Sequence, residues 1–200
     1  EGKRFDFPEP VELASGSIYK NSSFTLEDAI RDLEWCDIPE IDHIRKKENG
    51  IQLERILALK TGQTMKDLPE HLQHSSFKRR ASRRVCDGTP TEKRGGPPSG
   101  LKRLSYKEPC LTITSASLSE FIHPTQHRML TIRECARVQT FPDSFQFCGT
   151  DAQKILQIGN AIPPVFAKIM AKQMMACDEN ASDELGPSLA RFDVTKATAK

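Results

Sequence analysis

No apolar run in these 200 residues is long enough to span a bilayer, and no charged-then-apolar leader precedes a small-residue cleavage site. A soluble, cytoplasmic protein is therefore expected, with no membrane partner. Six cysteines are scattered at 36, 86, 110, 135, 148 and 177 without a single Cys-x-x-Cys pair, which argues against a zinc site and against a secreted disulfide framework. His71, His74, His123 and His127 share no metal-ligand spacing with carboxylates or thiols, so they read as surface or hydrogen-bonding residues and no metal is expected. No internal repeat is visible. The length suffices to bury one domain-sized core. The chain opens on Glu1 rather than methionine, from which we expect a start inside a longer reading frame or at a trimmed end.

What is present is unevenly charged. Net charge is +2, yet residues 78 to 103 carry nine basic residues against Asp87 and Glu92, nine minus two or +7, which leaves −5 for the remainder. That excess sits in Gly/Pro-rich sequence, the electrostatic footprint of a loop facing phosphates; a solvated loop that only aids solubility is the alternative.

Local chemistry sketches an α+β chain. Phe5 and Phe7 alternate with polar residues before Pro8 and Pro10, suiting a strand end that leads into a linker. Thr25 precedes Leu26, Ala29, Ile30 and Leu33, the apolar spacing of an N-capped amphipathic helix. The apolar stretch Ile51 to Leu59 fits either strand or short helix. Asp87-Gly88-Thr89-Pro90 and Gly95 to Gly100 are turn chemistry. Leu111-Thr112-Ile113-Thr114 is short and β-branched, predicting a strand. Thr131 with Glu134 three residues on predicts a capping box and a helix from Ile132 that ends before Phe141-Pro142. Pro163 and Pro164 can open a helix whose apolar face is Val165, Phe166, Ile169, Met170 and Met174. Residues 178–200 are polar and weakly patterned, predicting disorder.

Two segments go further. The run Leu130-Thr131-Ile132-Arg133-Glu134-Cys135-Ala136-Arg137-Val138-Gln139-Thr140-Phe141-Pro142-Asp143-Ser144-Phe145, followed by Gln157-Ile158-Gly159-Asn160-Ala161-Ile162-Pro163-Pro164, resembles the last two signature blocks of the cytosine-5 DNA methyltransferases in order and separation. Phe77-Lys78-Arg79-Arg80 through Leu104 is similar to the target-recognition region of bacterial members, and Thr112-Ile113 resembles the Thr-aliphatic dipeptide of those regions. Phe121-Ile122-His123-Pro124 also matches. The resemblance covers roughly residues 1 to 175, and the earlier blocks that carry the nucleophile and most of the donor pocket are not found in it.

The resemblance implies a division into a linker at 1–24, a target-recognition domain at 25–129, signature blocks and a docking helix at 130–177, and a tail at 178–200. The helix would pack on a missing Rossmann-like catalytic domain, supplied as an N-terminal domain or a separate subunit. It implies double-stranded DNA as partner and S-adenosylmethionine as methyl donor, with the donor's main pocket on that missing domain. Lys78, Arg79, Arg80, Arg83, Arg84, Arg94, Lys102, Arg103, Thr112 and Ile113 are the implied DNA-facing residues, and Gly159, Asn160 and Ile162 the implied edge of the donor site. Read by residue chemistry alone, Gly159-Asn160 is a turn cap before a proline-started helix. Arg133, Glu134 and Gln139 are read as a scaffold through capping and buried polar pairing.

Pro109-Cys110 imitates the family's nucleophile dipeptide but is followed by Leu111-Thr112-Ile113-Thr114 inside the recognition region and lacks an accompanying carboxylate block. A structural cysteine is the better reading. The function so implied is target recognition within a DNA cytosine-5 methyltransferase of a restriction-modification system, this chain alone being inactive. A subunit of a split methyltransferase and a non-catalytic DNA-binding module are the rival readings.

Overall fold

A computed structural model describes residues 24–78 and 100–177. The strand end expected at Phe5 and Phe7, the basic residues from Arg79 to Arg94 and the tail at 178–200 lie outside the described residues.

Helix α1, Leu26–Ile30, begins where Thr25 predicts, and the Asp28 carboxylate accepts from the Thr25 backbone N–H at 2.8 Å and from its hydroxyl at 2.7 Å. It tightens into a 3-10 turn at Arg31–Leu33. The ambiguous stretch resolves as helix α2, Gly50–Ala58, which buries Ile56 and leaves Ile51 and Leu57 exposed. Two 3-10 turns follow at Met65–Asp67 and Glu70–Leu72. Strand β1, Lys102–Arg103, pairs in parallel with β2, Phe121–Ile122, reached through the short helix α3, Ser117–Glu120.

The pair is short but decides the packing, because successive strand side chains point to opposite faces. Phe121 enters a cluster with Ile30, Ile113, Leu130, Ile132, Cys135, Ile155 and Ile158. Ile122 enters a second cluster with Ile56, Leu59, Met65, Leu101 and Met129. Each fully buried aliphatic contributes about 1.5–3 kcal/mol. The first cluster draws residues from both sides of the boundary expected at 129/130.

Residues 111–114 do not form the strand their composition predicts. Only Ile113 turns inward, and the Thr114 N–H donates to the Ser117 hydroxyl at 2.8 Å instead of to a neighbouring strand. A local side-chain acceptor has outcompeted the ladder.

Helix α4, Ile132–Val138, carries the predicted capping box: Thr131 Oγ1 accepts from the Glu134 N–H at 3.2 Å, and the Glu134 carboxylate accepts from the Thr131 N–H at 2.8 Å. It ends in a Schellman motif, with Phe141 N–H on Ala136 O and Thr140 N–H on Arg137 O, both 2.9 Å. Thr140 takes the left-handed position at φ 63°, which a β-branched residue rarely occupies. Its hydroxyl accepts from the Val165 N–H at 3.1 Å. Helix α5, Asp151–Asn160, is capped by Thr150 and Gln153. Helix α6, Pro164–Cys177, starts on the second proline, and none of its side chains described from 164 to 175 is buried.

Candidate nucleic-acid interface

Beneath the surface lies a network of buried charged and polar groups. Arg128 forks onto Glu134, with Nη1 to Oε2 at 2.8 Å and Nη2 to Oε1 at 2.6 Å. Thr131, already bonded to Glu134, donates its hydroxyl to His43 Nδ1 at 2.8 Å, because His43 Nε2 carries the hydrogen that goes to Leu33 O at 2.9 Å. Arg133 is fully buried and donates to Ile41 O, Pro142 O and Phe145 O at 2.6, 3.0 and 2.8 Å, with its guanidinium 5.7 Å from the centre of the Phe147 ring. Gln139 donates to Ile158 O at 3.2 Å, tying the end of α4 to α5. These bonds join residues 33–43 and 128–145 into one frame. His43 and Arg128 were not singled out in the sequence, since neither stands in a recognisable motif.

His123, read as surface or hydrogen-bonding, is wholly buried. Its Nδ1 accepts from the backbone N–H groups of Gln126 at 3.1 Å and Thr125 at 3.3 Å, so the hydrogen sits on Nε2, facing the Tyr106 hydroxyl at 3.2 Å. Burial first, then the guanidinium groups of Arg128 and Arg103, hold its pKa down at about 3. An unfolded chain would protonate this residue near 6.5, so between pH 6.5 and 3 the unfolded state binds the extra proton. The contribution to stability is complete above pH 6.5 and is lost at about 1.4 kcal/mol per pH unit as pH falls through that window. Chemical denaturation at pH 7 and pH 5 is expected to show a loss of about 2 kcal/mol more in the native protein than in His123→Gln; equal losses would remove the assignment.

On the outside, the sequence-predicted residues separate into those brought together and those drawn away. Arg103, expected to face DNA, is 5 % exposed. Its guanidinium donates to the carbonyls of Leu59 at 2.7 Å, Ile56 at 2.6 Å, and His123 and Gln126 both at 2.9 Å. It is a clamp between α2 and the β2 segment, with its donors committed. Ile113 is 1 % exposed and belongs to the core, so of the Thr-aliphatic pair only Thr112 faces solvent. Lys102 is half-buried with its ammonium 5.6 Å from the centre of the Phe121 ring, and Lys78 reaches Glu70 at 3.2 Å. An open groove of about 310 Å³ is lined by Arg45, Lys46, Lys47, His127 and Arg128 together with Asp37 and Gln126. The sequence signal for it was Arg45-Lys46-Lys47, obscured by the acidic residues around it. Asp37 and Asp151 hold Arg45 and Lys46 at 2.8 and 2.5 Å.

Gly159 does approach the segment that follows Thr112. Gly159 is the penultimate residue of α5 rather than part of a turn, and a Cβ placed on it would stand 2.9 Å from the backbone of both Thr114 and Ser115. The glycine is thus explained by close approach, correcting the turn reading. Thr112, Thr114 and Ser115 are exposed on one side of this contact; Asn160 is exposed on the other, followed by Ile162 at 66 %. The exposed Asn160 carboxamide offers an NH2 donor group and a carbonyl acceptor, with the exposed aliphatic side chain of Ile162 two residues on. A cavity of about 140 Å³ beside Leu118 and Thr131 takes no residue from 159 to 162. Among the described residues no grouping of His, Cys, Asp and Glu could hold a metal, and no helix is long and apolar enough to cross a membrane.

A family model described as C-5 cytosine-specific DNA methylase matches residues 5–176. The chain is 34 % identical over 166 residues to the Type II methyltransferase M.Eco47II of Escherichia coli, covering 80 % of this chain and 36 % of that one. It is 31 % identical over 147 residues to M.DdeI of Desulfomicrobium norvegicum, covering 70 % and 33 %. With M.AgeI of Thalassovita gelatinovora it shares 32 % over 193 residues, covering 85 % and 45 %. The chain spans about a third to a half of the length of these relatives.

Proposed function

The chain belongs to the C-5 cytosine-specific DNA methylase family, and from that premise we propose that it is the target-recognition and C-terminal portion of a DNA (cytosine-5-)-methyltransferase. The complete enzyme would move a methyl group from S-adenosylmethionine to carbon 5 of a flipped-out cytosine, in the cytoplasm and within a restriction-modification system. The observation that carries this is the close approach of Gly159, which immediately precedes the exposed Asn160, to the backbone of Thr114 and Ser115, two and three residues after the exposed Thr112.

In this reading each part answers a physical demand of the reaction. Swinging a base out of a duplex costs a few kcal/mol, which backbone contacts recover. Lys78, Arg79, Arg80, Arg83, Arg84, Arg94 and Lys102 would supply them as phosphate-positioning cations, with Thr112 facing the DNA. Arg103 instead clamps α2 to the β2 segment, and Ile113 anchors the Thr112 segment in the core. S-adenosylmethionine supplies an electrophilic methyl on a sulfonium; Asn160 would hydrogen-bond this donor molecule while Ile162 packs beside it. The apolar side chains of Ile162, Val165, Phe166 and Met174, left uncovered here, form the surface that a Rossmann-like catalytic domain would cover.

Two measurements test the two halves. Replacing Arg79, Arg80, Arg83 and Arg84 with Ala is expected to flatten the log-log salt slope of DNA binding by about 3 to 4, close to one unit per phosphate contact removed. An unchanged slope would assign the loop to solubility. In the full-length or reassembled enzyme, Asn160→Ala is expected to raise the Kd for S-adenosylmethionine about ten- to a hundred-fold, the loss of one hydrogen bond to a charged molecule at about 1.5 to 3 kcal/mol. Non-specific DNA affinity should hardly move. Lower thermal stability with unaltered donor affinity would make Asn160 a helix-end residue only.

A further inference from the structure

Alanine forms helix better than glycine does, so helix propensity does not select glycine at position 159, near the end of α5. The contact does. A Cβ there would lie 2.9 Å from the Ser115 nitrogen, 2.9 Å from the Thr114 carbonyl carbon and 3.1 Å from Thr114 Cα. Because the opposing atoms are backbone, no rotamer change can clear the space.

Neither side is free to yield alone. The Thr114 N–H donates to the buried Ser117 hydroxyl at 2.8 Å, and the Ser117 N–H donates back to Thr114 O at 3.0 Å. Ile113, one residue earlier, is packed in the same cluster as Ile155 and Ile158 of α5. Thr112 to Ser115 therefore rides on α5 as a rigid attachment, and close-packed interiors pass such strain on instead of absorbing it.

We propose that Gly159 is a positioning residue that fixes the Thr112–Ser115 segment against the donor-facing end of α5, so that DNA choice and methyl-donor binding share one frame. The inference rests on reading Thr112 as DNA-facing and Asn160 as donor-facing. A misplacement of about 1 Å away from the reacting atoms can lower a rate about a hundred-fold, and one added methyl at this contact demands a shift approaching that size.

The test uses the full-length enzyme with S-adenosylmethionine and two duplexes, the cognate site and one carrying a single base-pair change. Gly159→Ala is expected to lower kcat/KM on the cognate duplex about a hundred-fold. It should also reduce the preference for that duplex about ten-fold, within the range that one mismatched pair controls, and raise the donor Kd. Gly149→Ala is the structural control. It strains the start of the same helix, where φ is +98°, and should lower Tm while leaving both preference and donor affinity unaltered in the folded enzyme. If Gly159→Ala behaves like Gly149→Ala, the proposal is overturned. Asn160→Ala separates the two layers: an unchanged donor Kd there removes the donor-edge reading, whereas unchanged preference in Gly159→Ala removes the positioning role. Should Gly159→Ala fail to fold, amide hydrogen exchange on the native enzyme decides. Saturating donor should slow exchange at Ser115 and Ser117, and equal rates with and without donor would refute the coupling.

Discussion

Incubated with S-adenosylmethionine and duplex DNA, the purified 200-residue chain is expected to transfer no methyl group above background, and mixing it with a large-domain half is expected to restore transfer. Methyl addition to cytosine needs a cysteine thiolate, since the thiol is a poor nucleophile. Cys110, which follows a proline as the family's nucleophile does, has its pKa pushed up to about 12 by burial, and Cys135, wholly buried, is driven well above the ordinary thiol range by the same cause. At pH 7 a thiol of that pKa is ionised in roughly one molecule in 100,000. Counting tritiated methyl groups on DNA for the chain alone, the large half alone and the mixture settles the matter. Methylation by the chain alone would refute the proposed division of labour.

The second large effect concerns stability. Glu134→Ala in the native protein is expected to cost about 3–5 kcal/mol, because it strands the Arg128 guanidinium without its carboxylate inside the fold. It also removes the acceptor for the Thr131 N–H at the start of α4. For a chain of this size that corresponds to a drop in Tm of roughly 10 °C or more. Glu134→Gln keeps the shape and one acceptor and should lose less. Thermal melts of Glu134→Ala, Arg128→Ala and the variant carrying both, combined as a double-mutant cycle, give the coupling; an interaction below about 0.5 kcal/mol would mean that the pair contributes little beyond its neighbours.

Local rules carried parts of the fold into view. Thr25 and Thr131 announced their helices because a cap needs only one side chain and the three residues after it. Thr150 with Gln153 has the same spacing and the same capping box at the start of α5. Ile51 to Leu59 stayed ambiguous because Ile51 and Leu57 are apolar yet exposed, blurring the stripe that marks a helix face. The site was legible as a family pattern and far less as geometry. Arg103 looked like its neighbours in a basic loop, but its partners are carbonyls up to 47 residues away, and a backbone acceptor leaves no trace in sequence. Gly159 looked like a turn because prolines follow it, while its actual neighbour is the backbone of Thr114 and Ser115.

The alternation at Phe121 and Ile122 governs where a chain of this kind can change length. One face of β2 feeds the helical cluster and the other the cluster under α2, and a slip of one residue would exchange the two faces at once. Arg103 and His123, anchored on either side of this register, would lose their carbonyl and amide partners in the same step. Insertions and deletions must therefore enter at segments that leave 101–104 and 121–130 in step, so that changes of length are channelled away from the two strands and the clusters they feed.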